Sequence, residues 1–385
     1  MKIKDVHVTV VGTPWRDLTF VELETDDGLT GVGEVRMVNR TETLVACVKE
    51  LGPRHVVGLD PFNVHQLAWL VQRNDYGRAG EVVQSALAAF DVACWDLMGQ
   101  SLGVPVWQLL GGLVRERTPA YANGWYQTDP EPALVAEKAK AVVERGYRGL
   151  KLDPFGAGNL GISEAELRRS TAIVTAVREV IGPDVEIMLE MHGRFSVGNA
   201  VRVAAAFEHL GPAWIEEPVP PENASALARV QMSSRIPVAT GERLHTLHDV
   251  RPFLELGAVD VLQVDLTHFG GLTPMRALSM WADTHYVELA PHNVCGPIGT
   301  LANVHFAVAT PNHRILEHFN DFADSWVNDL VDVPAAVGED GCFGLPRGPG
   351  LGARLNHDAC AEHPATGGQI ALFKPGWEQR LGSTP

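Results

Sequence analysis

The chain has 385 residues, 45% of them hydrophobic and 20% charged, enough to bury a large core and to hold one big domain beside a smaller one. Its net charge of −16 argues against a nucleic-acid surface or an anionic membrane face, and an anionic substrate would need a local cation because the global field repels it. Five scattered cysteines without a CxxC suggest neither a disulfide framework nor a zinc ribbon, and a strand-like start with no run of about 18 apolar residues reads as cytoplasmic.

In chain order, residues 1 to about 35 are predicted to form a hairpin-rich sheet, VHVTVV and then two alternating runs separated by the Asp27-Gly28 turn. EVVQSALAAFDVACWDLMGQ is predicted to be a helix with Val83, Leu87, Phe90, Cys94 and Leu97 on one face. Asp91 and Asp96 on it are expected to be solvated or helix-capping rather than catalytic. The breakers Gly103, Pro105 and Gly111-Gly112 mark a boundary near residue 118. Beyond it, the apolar runs PAYAN, YRGLKL, VEIMLE, PAWIEE, IPVATGE, VDVLQV, YVELAP and RILEHF alternate with amphipathic stretches. Eight strands divided by helices predict a (β/α)-barrel over 119–340, with catalytic groups at the C-terminal strand ends. The Gly- and Pro-rich segment 341–385 is expected to wrap back over the N-terminal domain.

Three consecutive barrel strands end in Glu190, Glu216 and Glu242, spaced 26 residues apart each time, one strand-plus-helix unit. Three carboxylates at one mouth repel and raise one another's pKa values unless a hard cation neutralises them. A set with oxygen ligands and no Cys or His favours Mg²⁺ over zinc. A single strand-end glutamate could equally cap a following helix, but three in register point to a metal.

Asp265 ends the sixth strand and His292 follows the seventh, close enough for the carboxylate to orient the imidazole and stabilise its protonated form. His192, two residues past Glu190, should face the same way by strand alternation. Strands three and seven are four apart in a barrel of eight, so His192 and His292 should flank a substrate from opposite sides. Lys151 on the second strand is a candidate base or an electrostatic partner for a substrate carboxylate, the alternative being a salt bridge to Asp153 or another nearby acid. Glu317 at the end of the eighth strand is positioned to hydrogen-bond the far carboxylate oxygen, unless it is a structural strand-end acid. His245, His268 and His318 lie near the same rim and are equally readable as packing residues.

The motifs KLD, LEMHGRF, WIEEP, ATGERL, VDLTHFGG and PHNVCGPIG resemble, in order and spacing, the barrel motifs of the mandelate racemase branch of the enolase superfamily. GVGE, DPFNVHQ and ALAAFDVACWDLMGQSLGVPVWQLLGG are similar to that family's capping domain. The resemblance implies an α/β fold, a modified TIM barrel of (β/α)7β type, with an α+β capping domain over 1–118. It also implies Mg²⁺ on the glutamate trio, abstraction of a proton α to a carboxylate, and a homo-oligomer. Capping loops around Pro14 to Thr19 and Met37 to Thr41 would cover the substrate, with Arg16, Asn39, Arg40, Asn123 and Trp125 as specificity candidates. The racemases of the branch carry KxK on the second strand, and Asp153 stands here in place of the second lysine. An ExH histidine on the third strand instead resembles the acid sugar dehydratases, similar to the galactonate and gluconate enzymes. The implied activity is removal of the C2 proton by His292 and protonation of the departing 3-hydroxyl by His192, giving a 2-keto-3-deoxy acid. An epimerase or a lactone cycloisomerase is the alternative within the superfamily, and a noncatalytic binding barrel the alternative outside it.

Overall fold

The structure is a computed structural model and describes residues 1–367 and 370–373. Residues 368–369 and 374–385 of the expected C-terminal segment lie outside the described residues. Three antiparallel strands open the chain, β1 (Ile3–Gly12), β2 (Asp17–Thr25) and β3 (Thr30–Val35), in the order β1-β2-β3. Helices α1 (Thr41–Leu51), α2 (Val64–Trp69), α3 (Glu81–Leu102) and the short α4 (Val106–Leu109) follow. The hairpin between β2 and β3 turns at Gly28, whose φ of 88° needs a residue without a Cβ.

The barrel then runs β4 (Thr118–Ala122), α5 (Pro132–Glu144), β5 (Gly149–Leu152), α6 (Glu164–Ile181), β6 (Glu186–Glu190) and α7 (Val197–Phe207). It continues through β7 (Trp214–Glu216), α8 (Ala224–Ser233), β8 (Val238–Thr240), α9 (Leu247–Glu255) and β9 (Val261–Leu262). α10 (Leu272–Asp283), β10 (Glu288–Leu289), α11 (Pro297–Ala309) and β11 (Leu316–His318) complete it. Seven strand–helix pairs and a final strand are the (β/α)7β pattern. The parallel order β10-β9-β8-β7-β6-β5-β4-β11 is closed by a bridge between Leu289 and His313, just ahead of β11. A short β12 (Cys342–Phe343) pairs antiparallel with β4, and α12 (His357–Glu362) comes last. The chain returns to the first sheet where Pro364 bridges Val11 and Gly12 N donates to His363 O at 3.0 Å.

Inside the barrel, Tyr121, Met188, Trp214, Ala239, Val261, Ala290 and Ile315 form a dry layer. Strand side chains alternate, so the inward position two residues further toward the C-terminal end opens onto the mouth. Met188 leads to Glu190, Trp214 to Glu216, Ala290 to His292 and Ile315 to Glu317. The apolar layer is the floor beneath the polar groups.

α3 departs from the one-faced helix predicted for it. It is buried on nearly every side, from Gln84 to Gly99, because β2, β3, α1 and the barrel helix α10 all pack against it. By length and composition alone it could cross a membrane, yet it lies inside the fold. Asp91 and Asp96 are accordingly not solvated. Asp91 accepts from the N and Oγ1 of Thr273 and so caps α10, while Asp96 accepts from Val32 N at 3.0 Å and Leu351 N at 2.8 Å. Burial lifts Asp91 to about 7 and Asp96 to about 6. Glu34 of β3 does the same for α11, accepting from Gly296 N and Gly299 N, and burial lifts it to about 7.

Candidate active site

Glu190, Glu216 and Glu242 each offer a carboxylate oxygen, and these atoms lie within 4.8 Å of one another. β6 and β7 end on the first two, and Glu242 sits just past β8, so the parallel sheet itself brings them together. Burial, and then the neighbouring Glu190 charge, pushes Glu216 up to about 8, and burial also raises Glu190 and Glu242. An all-carboxylate donor set whose pKa values are all raised suits a hard divalent cation. Trp214 Nε1 at 3.2 Å and Gln263 Nε2 at 2.7 Å fix the outer oxygen of Glu216, the kind of second contact that sets the bite of a ligand.

Lys151 of β5 reaches into the same cluster. Its Nζ lies 2.7 Å from Glu216, 2.9 Å from Glu317 and 3.4 Å from Glu190, and the side chain is 3% exposed. Its partners are these glutamates and not Asp153. Their charges outweigh the burial penalty and hold its pKa well above the usual lysine value. Glu317 is engaged on both oxygens, by Asn123 Nδ2 at 2.7 Å as well as Lys151 on one, and by Asn293 N at 2.8 Å on the other. Despite burial, Lys151 and His292 bring it down to about 2. Trp125 Nε1 donates to Lys151 O at 2.9 Å and is buried behind the strand.

His292 Nδ1 lies 2.7 Å from Asp265 Oδ2, and its Nε2 lies 3.3 Å from Glu242. Asp265 is held by Thr267 N at 2.8 Å and Thr267 Oγ1 at 2.7 Å, so it is a fixed anchor. Burial alone would lower the His292 pKa, but Glu242, Glu317 and the bond to Asp265 carry it up to about 9. On the other side of the barrel, four strands away, His192 Nδ1 lies 2.6 Å from Asp153 Oδ2, which also takes Arg194 Nη2. Burial first, and then Arg194, Arg243 and Lys151, hold His192 well below the usual histidine range.

The expected direction of His192 is met by a different device from strand alternation. β6 stops at Glu190, and the chain turns with His192 at φ 48° and Gly193 at φ 66°, while His192 N donates to Glu190 Oε1 at 2.6 Å. A non-glycine residue in that region is uncommon, and here it aims a ring into the mouth.

Lys151, His192, Glu242 and His292 open onto one cavity of about 260 Å³. Its far wall comes from the capping domain through Trp15, Arg36, Val38 and Asn39, and from Ile370 and Leu372. Asn39 holds Ile370 in place with two backbone bonds of 2.8 Å, from Nδ2 to its O and from its N to Oδ1. Asn123 is also on the wall. Arg16 is not, since it is 1% exposed and donates to Val294 O and Asn320 Oδ1, and Arg40 lies on the surface at the start of α1. His245 and His268 line the cavity, whereas His318 packs against Phe343 away from it. Sequence reasoning missed Arg36, Arg194, Arg243 and the role of Asp153. The Asp153–His192 pair repeats the Asp265–His292 rule, a strand-end acid beside the next strand's histidine, and that rule could have found it.

Residues 2–111 match the mandelate racemase / muconate lactonizing enzyme N-terminal domain family, and residues 134–359 match the enolase C-terminal domain-like family. The chain is 36% identical to a D-gluconate dehydratase of Thermoproteus tenax over 94% of its own length and 72% of the relative's. It is 35% identical to a D-galactonate dehydratase of Verminephrobacter eiseniae over 92% of each. Among solved structures it superposes on mandelate racemase/muconate lactonizing enzymes from Sulfitobacter sp. (TM-score 0.91, 29% identity, 97% and 98% covered) and Jannaschia sp. (0.89, 30%, 95% and 98%). With both domains matched and the carboxylate trio at the barrel mouth, the chain is an enolase-superfamily enzyme, a member of the mandelate racemase/muconate lactonizing enzyme family.

Proposed function

We propose that this enzyme dehydrates a sugar acid, removing the proton at C2 and the hydroxyl at C3 to leave a 2-keto-3-deoxy acid. The observation that carries the reading is the pair of histidine–aspartate dyads, His292–Asp265 and His192–Asp153, facing one cavity beside the glutamate trio. A base on one face and an acid on the other are what an anti elimination requires.

The trio would hold Mg²⁺, which when bound neutralises the glutamates and draws electron density from the substrate carboxylate. The chain's own groups then divide the work. Asp265 keeps the His292 Nδ1 proton in place, so that Nε2 faces the substrate as the base that takes the C2 proton. Charge neutralisation at Glu242 removes the largest upward push on His292, which is the direction a base needs. Lys151 places a fixed cation where negative charge develops in the enediolate. Glu317, ionised and held by Asn123 and Asn293, orients Lys151 and is the group through which the lysine is positioned.

His192 gives its proton to the C3 oxygen as the C3–O bond breaks, water leaves, and the enol tautomerises to the ketone. Asp153 holds the His192 ring by Nδ1. Burial, Arg194 and Arg243 favour the neutral ring in the free chain, and the substrate's negative charge beside it acts in the opposite direction. The test is a panel of C5 and C6 aldonic and aldaric acids with Mg²⁺, read as 2-keto-3-deoxy product with semicarbazide. Product that disappears with EDTA and in His292→Asn supports dehydration. C2 proton exchange in D₂O without product across the panel would move the enzyme to epimerisation or cycloisomerisation.

A further inference from the structure

Arg36 follows β3 and hangs from the capping domain over the barrel mouth, with its guanidinium 6.0 Å from the Trp15 ring. It is 9% exposed and lines the catalytic cavity. Among the described residues it forms no ion pair, and its Nε donates no hydrogen bond. The other arginines near the cavity are all engaged: Arg194 holds Asp153, Arg243 holds Glu217 and Glu242, and Arg16 donates to Val294 O. A buried guanidinium without a counter-ion costs folding free energy, and a fold keeps one where a ligand supplies the missing anion.

We propose that Arg36 receives a second anionic group of the substrate, at the end of the carbon chain away from the metal site. The acid taken here is then a dicarboxylic sugar acid or one phosphorylated at its far end, and not an aldonic acid with a neutral tail. The assignment rests on the reading of this cavity as a sugar-acid site. The reacting carboxylate belongs with the trio and Lys151 on the floor, so an anion at Arg36 on the roof is a different group. Trp15, Val38, Val294, Ile370 and Leu372 form the apolar part of the wall. They keep water from screening the pair, which strengthens it. In a chain of net charge −16, a cation on the roof is also what lets a dianion enter. Glu81, which shares the cavity, has Arg243 as a charged neighbour. The relatives named above are a D-gluconate and a D-galactonate dehydratase, so a dianionic substrate would set this chain apart from them.

The experiment uses the full-length Mg²⁺-loaded His292→Asn protein, which binds without turning over, and titrates it calorimetrically with galactarate, D-glucarate, 6-phosphogluconate, galactonate and gluconate. At least one dianion should bind about tenfold or more tightly than its aldonic counterpart. Arg36→Met, added to His292→Asn, should erase that difference and leave aldonate affinity within about threefold. Preference for the aldarates identifies a second carboxylate, and preference for the phosphorylated acid a phosphate. Arg36→Met should also melt no lower than its parent, because it removes an unpaired charge. Dianions that bind no tighter than aldonates, an equal loss of both in Arg36→Met, or a clear drop in its melting temperature would each overturn the assignment. Wild-type turnover of the same acids is scored separately. Arg36-dependent binding without keto-acid product removes dehydration and leaves the anion site standing.

Discussion

At the scale of residues, the proposed elimination gives the two histidines separable tasks. His292→Asn should lose both C2 proton exchange and product formation, whereas His192→Asn should keep exchange in D₂O while product falls by about 10²–10⁴-fold. Equal loss of exchange in both variants would make His192 part of the first step. Asp153 binds a histidine and a buried arginine at once. Asp153→Asn should therefore strand Arg194 and lower stability by roughly 3–5 kcal/mol, with Asp153→Asn/Arg194→Met recovering most of it in a urea melt. The dyad could be located from the sequence, since an acid and a histidine at adjacent strand ends must meet. Its second charge could not, because Arg194 reaches Asp153 only through the left-handed turn at His192 and Gly193.

Among the elements, α3 and β3 carry the junction between the two domains, and they do so with buried carboxylates on helix N-termini. Asp91 caps α10 and Glu34 caps α11, where N–H groups and the helix dipole favour an acceptor. Each stands near 7 in the folded protein against an ordinary value of 3.8 for Asp91 and 4.5 for Glu34. A carboxyl with a raised folded pKa takes up a proton on folding. Its stabilisation is complete below pH 4 and is lost as pH climbs through 7. Melting temperature should consequently fall from pH 5 to pH 8, and Asp91→Asn should flatten that slope. A slope identical to wild type would mean that the acid is ionised throughout. Close approach is the other feature of this junction. A Cβ on Gly33 would stand 2.0 Å from Ala89 O, so Gly33→Ala should cost roughly 2–4 kcal/mol in a denaturant melt by forcing β3 off α3.

For the whole molecule, a cation held by the trio would tie the ends of β6, β7 and β8 together and would bind only the folded chain. Mg²⁺ at about 100 times its Kd should add about 2.7 kcal/mol of stability, and Glu216→Gln should abolish the rise in melting temperature. An undiminished rise in that variant would place the ion elsewhere. Much of this architecture was legible in the linear chain. Strand–helix alternation with a 26-residue step dictates a parallel barrel, and period-two side chains dictate that Glu190, Glu216, His292 and Glu317 crown an apolar layer. These follow from local periodicities that every residue carries with it. What α3 buries, which helix Asp91 caps, and how Arg36, Asn39 and Ile370 close one cavity were decided only by the tertiary structure. Those contacts join segments from tens to more than 300 residues apart, and their partners are chosen by packing between domains, for which a linear pattern holds no period.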